Sequence, residues 1–428
     1  MMTSIPRFAN NFEGYETRDM KEFLSRGEIE LHLERNETKS WTCHSCGGEL
    51  GTERGRYRMR LEAMPIMGFR SLIYFWRYKG HCAKCKKARA ESVDFIAKET
   101  PHLTQDYAWW IGRVCEIAAV SRVGELVGQD ETTTWRIDYR RMQRMLAYYT
   151  IPEVTEISVD EVYARKKAKY KNESRNDRFF TVVTDLKTHR VIWVSESRSQ
   201  KGLDQFFALI GKERSEKIRL VAMDQHEDYA ASVRQHCPKA TIVWDRFHLM
   251  QNFEEAVNEV RKDLHESQAG GSEMKRLSRG KYRYLFLKKE VRRTEEERAH
   301  INEILALNNS FAKLEIIKER MLSFFDAPDE AAAKAVFEDV ALWSMQEYFQ
   351  PLMKWCRNFE AGWETVKNYF THRITSALSE GINNVIKAIK RRAYGYRNMH
   401  YFRLKIMQVC GYLNSRYIAT SNQLHAQI

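Results

Sequence analysis

The chain has no run of about 18 apolar residues, so it offers no candidate membrane span. Met1 to Met20 holds no apolar stretch of the kind that opens a secretory signal, and a cytoplasmic location is expected. No internal repeat is present. Cysteine is sparse, at 8 in 428 residues, and a reducing compartment gives disulfides little use. Acids are too few to balance the bases: 57 Asp and Glu against 70 Lys and Arg leave a net charge of +13. That excess suits a polyanionic partner, because neutralising phosphates releases counterions. Hydrophobic content of 43%, with 12% aromatics, suffices for buried cores and argues against general disorder. The length allows about two to four domains.

Four of the cysteines stand in two pairs, Cys43-His44-Ser45-Cys46 and Cys82-Ala83-Lys84-Cys85. Each pair supplies two thiolates from one tight turn, the spacing that suits a tetrahedral Zn²⁺. Four thiolates leave no open coordination position, so the zinc is structural. The segment between the pairs fits an inserted hairpin. Residues 41–97 therefore read as a zinc ribbon, after a polar, partly helical lead-in at 1–40. Cys115, Cys237, Cys356 and Cys410 are isolated and read as buried thiols.

Residues 101–148 read as helices. A short amphipathic helix ends at Gly128, Asp130 caps the next one, and that helix presents Thr132, Thr133, Arg136 and Arg140. Trp135 and Ile137 remain for packing. The pattern suits a helix-turn-helix, whose second helix reaches base edges while its basic residues hold phosphate. A plain helical hairpin would share most of it.

From 155 to 249 strands and helices alternate. Two strands near 179–184 and 190–194 flank a turn, and further strands end at Asp224 and Asp245. Strand, hairpin, helix, strand, helix, strand predicts an α/β fold with a mixed sheet. Residues 250–370 are rich in helix formers. Asp160 and Asp224 close apolar strand segments, and Glu380 lies on a late helix within 371–415. Taken singly, such acids are usually solvated or cap a helix. Together they are what a fold needs to hold a pair of Mg²⁺ (or Mn²⁺) ions for phosphoryl transfer, since hard cations prefer carboxylate oxygens. Glu161, Asp185, Glu227 and Asp228 compete for the role, although Asp185 falls in the hairpin turn, where aspartate has a structural use. The Glu380 helix carries Asn384, Lys387 and Arg391 on roughly the same face, donors suited to a DNA backbone. Lys390 and Arg397 extend this basic segment.

At these residues the chain resembles the bacterial insertion-sequence transposases of the ISL-three family. The matching segments include Ser158-Val159-Asp160-Glu161, Met223-Asp224, Trp244-Asp245-Arg246-Phe247-His248 and the run from Glu380 to Asn398. The resemblance implies an RNase H-like catalytic domain with a large helical insertion, here about 250–370. It implies a DDE triad, which maps to Asp160, Asp224 and Glu380. Asp245 and His248 match a further family feature, where a histidine would contact DNA or brace the site; a locally packed polar pair is an equal reading.

The expected activity is Mg²⁺-dependent cleavage of terminal inverted repeats followed by strand transfer. Double-stranded DNA is the expected partner, with further copies of the chain assembled on it. A non-catalytic DNA-binding regulator is the alternative, and an intact triad speaks against it. Two tracts, 275–293 and 391–405, interleave Lys and Arg with aromatics and read as a DNA track. Trp343, Trp355 and Trp363 read as core of the helical insertion.

Overall fold

The structure, a computed structural model, describes residues 12–36, 40–164, 175–267, 285, 288, 290–307, 309–374 and 377–414. Contacts divide the chain into two units, one of Met1–Thr150 with Lys390–Ile428 and one of Ile151–Ile389. No helix among the described residues is long and apolar enough to cross a membrane.

The first unit begins with a sheet. Strands β1 (Tyr15–Phe23), β2 (Glu28–Arg35), β3 (Leu50–Ile66) and β4 (Phe69–Cys82) lie in the order β1-β2-β4-β3, and β5 (Lys87–Ala90) pairs with β4. The lead-in is thus strand where it was expected to be partly helical. Ile29, Leu31 and Leu33 alternate with Glu28, Glu30, His32 and Glu34 at the period of two that a half-buried strand requires. They join Tyr15, Leu61, Ile73, Phe75 and Val93 in one apolar core. The β3–β4 hairpin is the expected insertion between the cysteine pairs. Its turn places Met67 at φ 51° and Gly68 at φ 87°, the two left-handed residues of a type I′ turn, whose twist matches the strands.

Helices α1 (Gln105–Val114), α2 (Val120–Val127) and α3 (Glu131–Ala147) follow. Gly128 closes α2 in the left-handed region at φ 69°, and Asp130 caps α3 by accepting from Thr133 N. Both do what the sequence assigned them. Gly124 is needed for a different reason: a Cβ there would stand 2.7 Å from the Gln129 carbonyl oxygen.

The second unit holds a five-stranded sheet, β10-β9-β6-β7-β8. Its strands are β6 (Glu156–Tyr163), β7 (Phe179–Asp185), β8 (Arg190–Ser195), β9 (Leu220–Met223) and β10 (Thr241–Trp244). Strands β6, β7 and β8 are antiparallel neighbours, whereas β9 and β10 run parallel to β6. Asp185 holds the β7–β8 turn by accepting from Lys187 N and Thr188 Oγ1, the structural use anticipated for it. Helices α4 (Gln200–Ile210), α5 (Lys212–Ser215) and α6 (Glu227–His236) connect the later strands.

The rest of this unit is helical: α7 (Arg246–Ser267), α8 (Glu295–Leu307), α9 (Asn309–Leu322), α10 (Glu330–Gln346), α11 (Gln350–Ala361), α12 (Trp363–Val366), α13 (Asn368–His372) and α14 (Ala377–Arg392). Helices α7 and α9 to α13 share a large apolar core that includes Phe253, Phe324 and Trp355, with Trp343 and Trp363 packed against it. All three tryptophans serve packing, as expected. The core takes in Leu220 and Val243 of the sheet, and it meets β10 closely at one glycine. Gly362 lies so near Trp244 that a Cβ would fall 2.1 Å from the indole ring. Gly362→Ala is therefore expected to displace Trp244 and the adjacent Asp245. A loss of about 1–3 kcal/mol in denaturant unfolding, with lowered cleavage activity, would bear this out; unchanged unfolding would mean the contact gives way freely.

The final helix α15 (Met399–Cys410) belongs to the first unit. Asp138 of α3 is fully buried and accepts from Tyr401 Oη at 2.6 Å and Lys405 Nζ at 3.1 Å. Lys405 also donates to the Cys115 carbonyl oxygen. Tyr396 stacks on Phe402 at 4.5 Å, and Tyr401 and Phe402 are buried. Tyr401 and Phe402 pack inward and Lys405 is paired, whereas Arg391, Tyr394 and Arg397 are exposed, so only the first part of 391–405 offers a basic, aromatic surface. Most of the other tract, 275–293, lies outside the described residues. Within it, Arg293 is buried and paired with Glu315 at 2.6 Å.

Candidate active site and DNA-reading elements

Parallel register builds the catalytic candidate. Val159 of β6 pairs with Met223 of β9, which pairs with Trp244 of β10. The residues that follow, Asp160, Asp224 and Asp245, therefore stand in one row across three neighbouring strands. Residues level in a parallel ladder point to the same face. A cleft lined by Ser158, Asp160, Ala222, Asp224, Asp245 and Ser379 opens beside that row.

The electrostatics follow from crowding like charges in a half-buried cleft. Burial, with the charges of Asp224 and Asp245 adding to it, pushes the Asp160 carboxyl up to about 6, while Glu161 N–H and His248 pull the other way. Asp224 is raised by burial and by Glu161. One of its oxygens, Oδ1, is buried without a hydrogen-bond partner. An orphaned carboxylate oxygen in a cluster of acids is what a hard cation satisfies. The donor set and this orphan fit a divalent metal.

Helix α14 meets the same place. Asn383 Nδ2 donates to Asp160 Oδ2 at 2.8 Å, and the hydroxyls of Ser379 and Ser158 hydrogen-bond at 2.8 Å. Glu380 is the next residue after Ser379 and is exposed. Its carboxylate is not gathered with the aspartates: among the described residues, the four cysteines are the one set of three or more His, Cys, Asp or Glu whose donor atoms all lie within 4.8 Å. Sequence reasoning put Asn384 on the Glu380 face and overlooked Asn383. Its helical offset of four from Ser379 is the signal that could have found it. Glu161 engages Arg198 at 2.7 Å, and Asp245 accepts from Phe247 N at 2.8 Å, which caps α7. The donor groups His226 and His248 sit within electrostatic reach of Asp224.

A family model for DDE transposases of the ISL3 type, described as "Transposase", matches residues 157–406. The chain belongs to that family. The transposase of insertion sequence element IS1001 from Bordetella parapertussis is 24% identical over 371 residues, covering 86% of this chain and 88% of that protein. The transposase of element IS1557 from Mycobacterium tuberculosis is 22% identical over 317 residues, 68% of each chain. An ISL3 transposase is an insertion-sequence enzyme, and the family implies DNA binding, DNA cleavage with strand transfer, and a divalent metal.

The cysteines of this transposase converge. Cys43, Cys46, Cys82 and Cys85 have sulfurs within 4.8 Å of one another and are not disulfide-bonded. The Cys46–Cys82 and Cys43–Cys85 separations are 3.4 and 3.9 Å. A tetrahedron with Zn–S near 2.3 Å requires about 3.8 Å, so the residues fit zinc. Burial opposes the Cys43 thiolate, yet N–H groups of Ser45 and Cys46 bring its pKa down to about 7. Such donors favour a ligating thiolate.

On α3, Thr132, Arg136 and Arg140 are exposed at helical spacings of four and form one solvent-facing stripe. Thr133 is only 7% exposed and lies at the cap of α3. Its burial leaves it less open to a base edge than Thr132, Arg136 and Arg140 are. Asn384, Lys387 and Arg391 are exposed on α14, Lys390 is half-buried, and Arg397 is exposed beyond it.

Proposed function

We propose that the chain binds the terminal inverted repeats of its own element, hydrolyses the DNA there and joins the freed 3′-ends to target DNA. The observation that carries this is the half-buried row Asp160–Asp224–Asp245, with an orphaned oxygen on Asp224. The strand order β8-β7-β6-β9-β10, three antiparallel strands beside two parallel ones, supports an RNase H-like reading of the catalytic unit. Asp160, Asp224 and Glu380 are the residues to hold Mg²⁺ or Mn²⁺. Such ions supply an activated oxygen nucleophile and charge stabilisation for the leaving oxygen.

The chain's own residues orient and gate the site. Asn383 fixes the Asp160 carboxylate through Oδ2. Glu380 follows Ser379 on α14, about 100° round the helix from it, and is exposed, so a movement of its side chain with the helix brings the third carboxylate to the row. Exposed Lys387 and Arg391 continue along α14 and grip the DNA backbone. Thr132, Arg136 and Arg140 read the element ends, and the zinc module supports them. Several copies of the chain assemble on the paired ends. The test is an assay on DNA carrying the element's ends, with Mg²⁺. Nicks at the repeat boundaries, followed by joined products, are expected. Cleavage scattered without regard to the repeats would point to a general nuclease.

Stability reports the same charge cluster. A carboxyl raised above its unfolded value stays protonated longer in the folded state, so folding loses stability as pH rises from about 4 to about 6. Above about pH 6 the repulsion is fully present, and a divalent cation relieves it. Mg²⁺ is therefore expected to raise Tm by a few degrees at about pH 7.5 and hardly at all at about pH 4. Equal shifts at both pH values would place the stabilising ion elsewhere.

A further inference from the structure

One face of the N-terminal sheet is not covered by the core of its unit. On β3, Tyr57, Met59, Leu61 and Ala63 alternate with Arg56, Arg58 and Arg60; Met59, Leu61 and Ala63 face the core, and the three arginines are exposed. They repeat every second residue, about 7 Å apart on one face. Their antiparallel partners on β4 are all aromatic: Arg56 pairs with Tyr78, Arg58 with Trp76 and Arg60 with Tyr74. Arg56 lies over the Trp76 ring at 5.1 Å, and Arg58 over Tyr74 at 5.0 Å. On β2, His32 stacks on Tyr74 at 5.3 Å. The large indole of Trp76 is 44% exposed.

The acids of this face are already engaged. Glu30 pairs with His32, Glu34 with Arg18, and Glu62 with Arg70. No carboxylate pairs with Arg56, Arg58 or Arg60 among the described residues. A stripe of guanidinium groups beside a stripe of rings, whose neighbouring acids already have other partners, is complementary to a polyanion that also presents flat bases. Phosphate binding alone would not explain why each arginine is opposed by an aromatic side chain. A protein partner would call for exposed aliphatic surface, which here lies away from the stripe at Met64, Met67 and Leu24, whereas the stripe itself presents guanidinium and ring groups.

We propose that this sheet face is a DNA-strand track, distinct from α3. Arg56, Arg58 and Arg60 hold successive backbone phosphates, and Trp76 is a platform on which an unpaired base stacks. The arginines are sequence-blind, so the face contributes affinity rather than discrimination. Stacking on Trp76 requires a base free of its partner, so the track prefers single-stranded DNA of the kind exposed when an end is opened. The proposal rests on the DNA-transposition reading only for its choice of DNA as the polyanion.

The test uses the full-length, zinc-loaded protein with two probes of roughly 20 units, an oligothymidylate and a random-sequence duplex. The triple variant Arg56→Gln/Arg58→Gln/Arg60→Gln is compared with wild type across salt concentrations. Its salt dependence is expected to flatten by about two to three units of log–log slope on both probes. Trp76→Ala should weaken oligothymidylate binding by roughly 5- to 100-fold and leave duplex binding nearly unchanged. Zinc content and thermal unfolding identify a variant that has lost its fold; Trp76→Phe, which keeps a ring, should then restore single-strand binding. A triple variant with the wild-type slope overturns the track. A Trp76→Ala protein that binds oligothymidylate as wild type does overturns the stacking platform. If wild type itself binds neither probe, the DNA reading fails with it, whereas a binding wild type with unaltered variants sinks the sheet face alone.

Discussion

Asp160→Asn is expected to lower end cleavage by about 1,000-fold or more, the several kcal/mol that metal-held transition-state charge is worth. Binding to the element's ends should change little, because α3 and the zinc module are untouched. The structure adds a second, opposite effect. The Asp160 carboxyl is pushed up to about 6 by burial and by Asp224 and Asp245, so a neutral amide removes repulsion. Metal-free Asp160→Asn protein should therefore unfold at a higher temperature than wild type near neutral pH. Its Asn side chain can still accept the bond from Asn383 that Asp160 Oδ2 accepts now. An inactive variant of raised stability that no longer responds to Mg²⁺ is the expected combination. A variant that cleaves at the wild-type rate would remove Asp160 from the reaction.

Cys82→Ser should cost the protein one zinc per chain and the order of the ribbon end of the first sheet. Cys82 closes β4, where it pairs with Leu50 of β3 and Lys87 of β5. Structural zinc contributes folding energy directly, on the order of 10 kcal/mol in small modules. The apolar core of Ile29, Leu31, Leu61, Ile73 and Phe75 lies along the rest of this sheet, so the loss is confined to the cysteine end and the strands themselves persist. Metal analysis, limited proteolysis and end-binding together read the outcome. A Cys82→Ser protein that retained zinc and proteolytic resistance would leave the four cysteines without a metal role.

Local signals carried most of the catalytic unit. Apolar segments leading into Asp160 and Asp224, with helices between them, have a pattern readable over a few residues, although β6 runs on past Asp160 to Tyr163. The same holds for Gly128 and Asp130, whose conformations follow from helix-end chemistry. The lead-in was misread because its strands β1 and β2 are thick with Glu, Arg and Lys, and only the alternation of Ile29, Leu31 and Leu33 betrays the pairing. The burial of Thr133 was hidden for a related reason: composition suggests a polar surface residue, whereas it is only 7% exposed on α3.

Distant pairings were beyond the sequence. The Lys405 ammonium pairs with Asp138 across 267 positions, and nothing near either residue announces it. Removing one partner shows the strength of the link, since a lone buried charge costs about 3–5 kcal/mol. Asn383 is a further case. Its bond to Asp160 spans 223 positions, and the eye is drawn instead to the charged Glu380 three residues earlier. The arginines of β3 looked like ordinary basic content until their register with Tyr74, Trp76 and Tyr78 was in place.

Catalysis by this triad requires one cation site that joins the sheet aspartates to α14. A crystal of the full chain bound to its end DNA, soaked with Mn²⁺ and measured at the manganese edge, tests that most directly. Anomalous peaks between Asp160 and Asp224, with the Glu380 carboxylate drawn in at about 2.2 Å from metal, are predicted. Manganese absent from that row, or bound there while Glu380 still points to solvent, would contradict the triad.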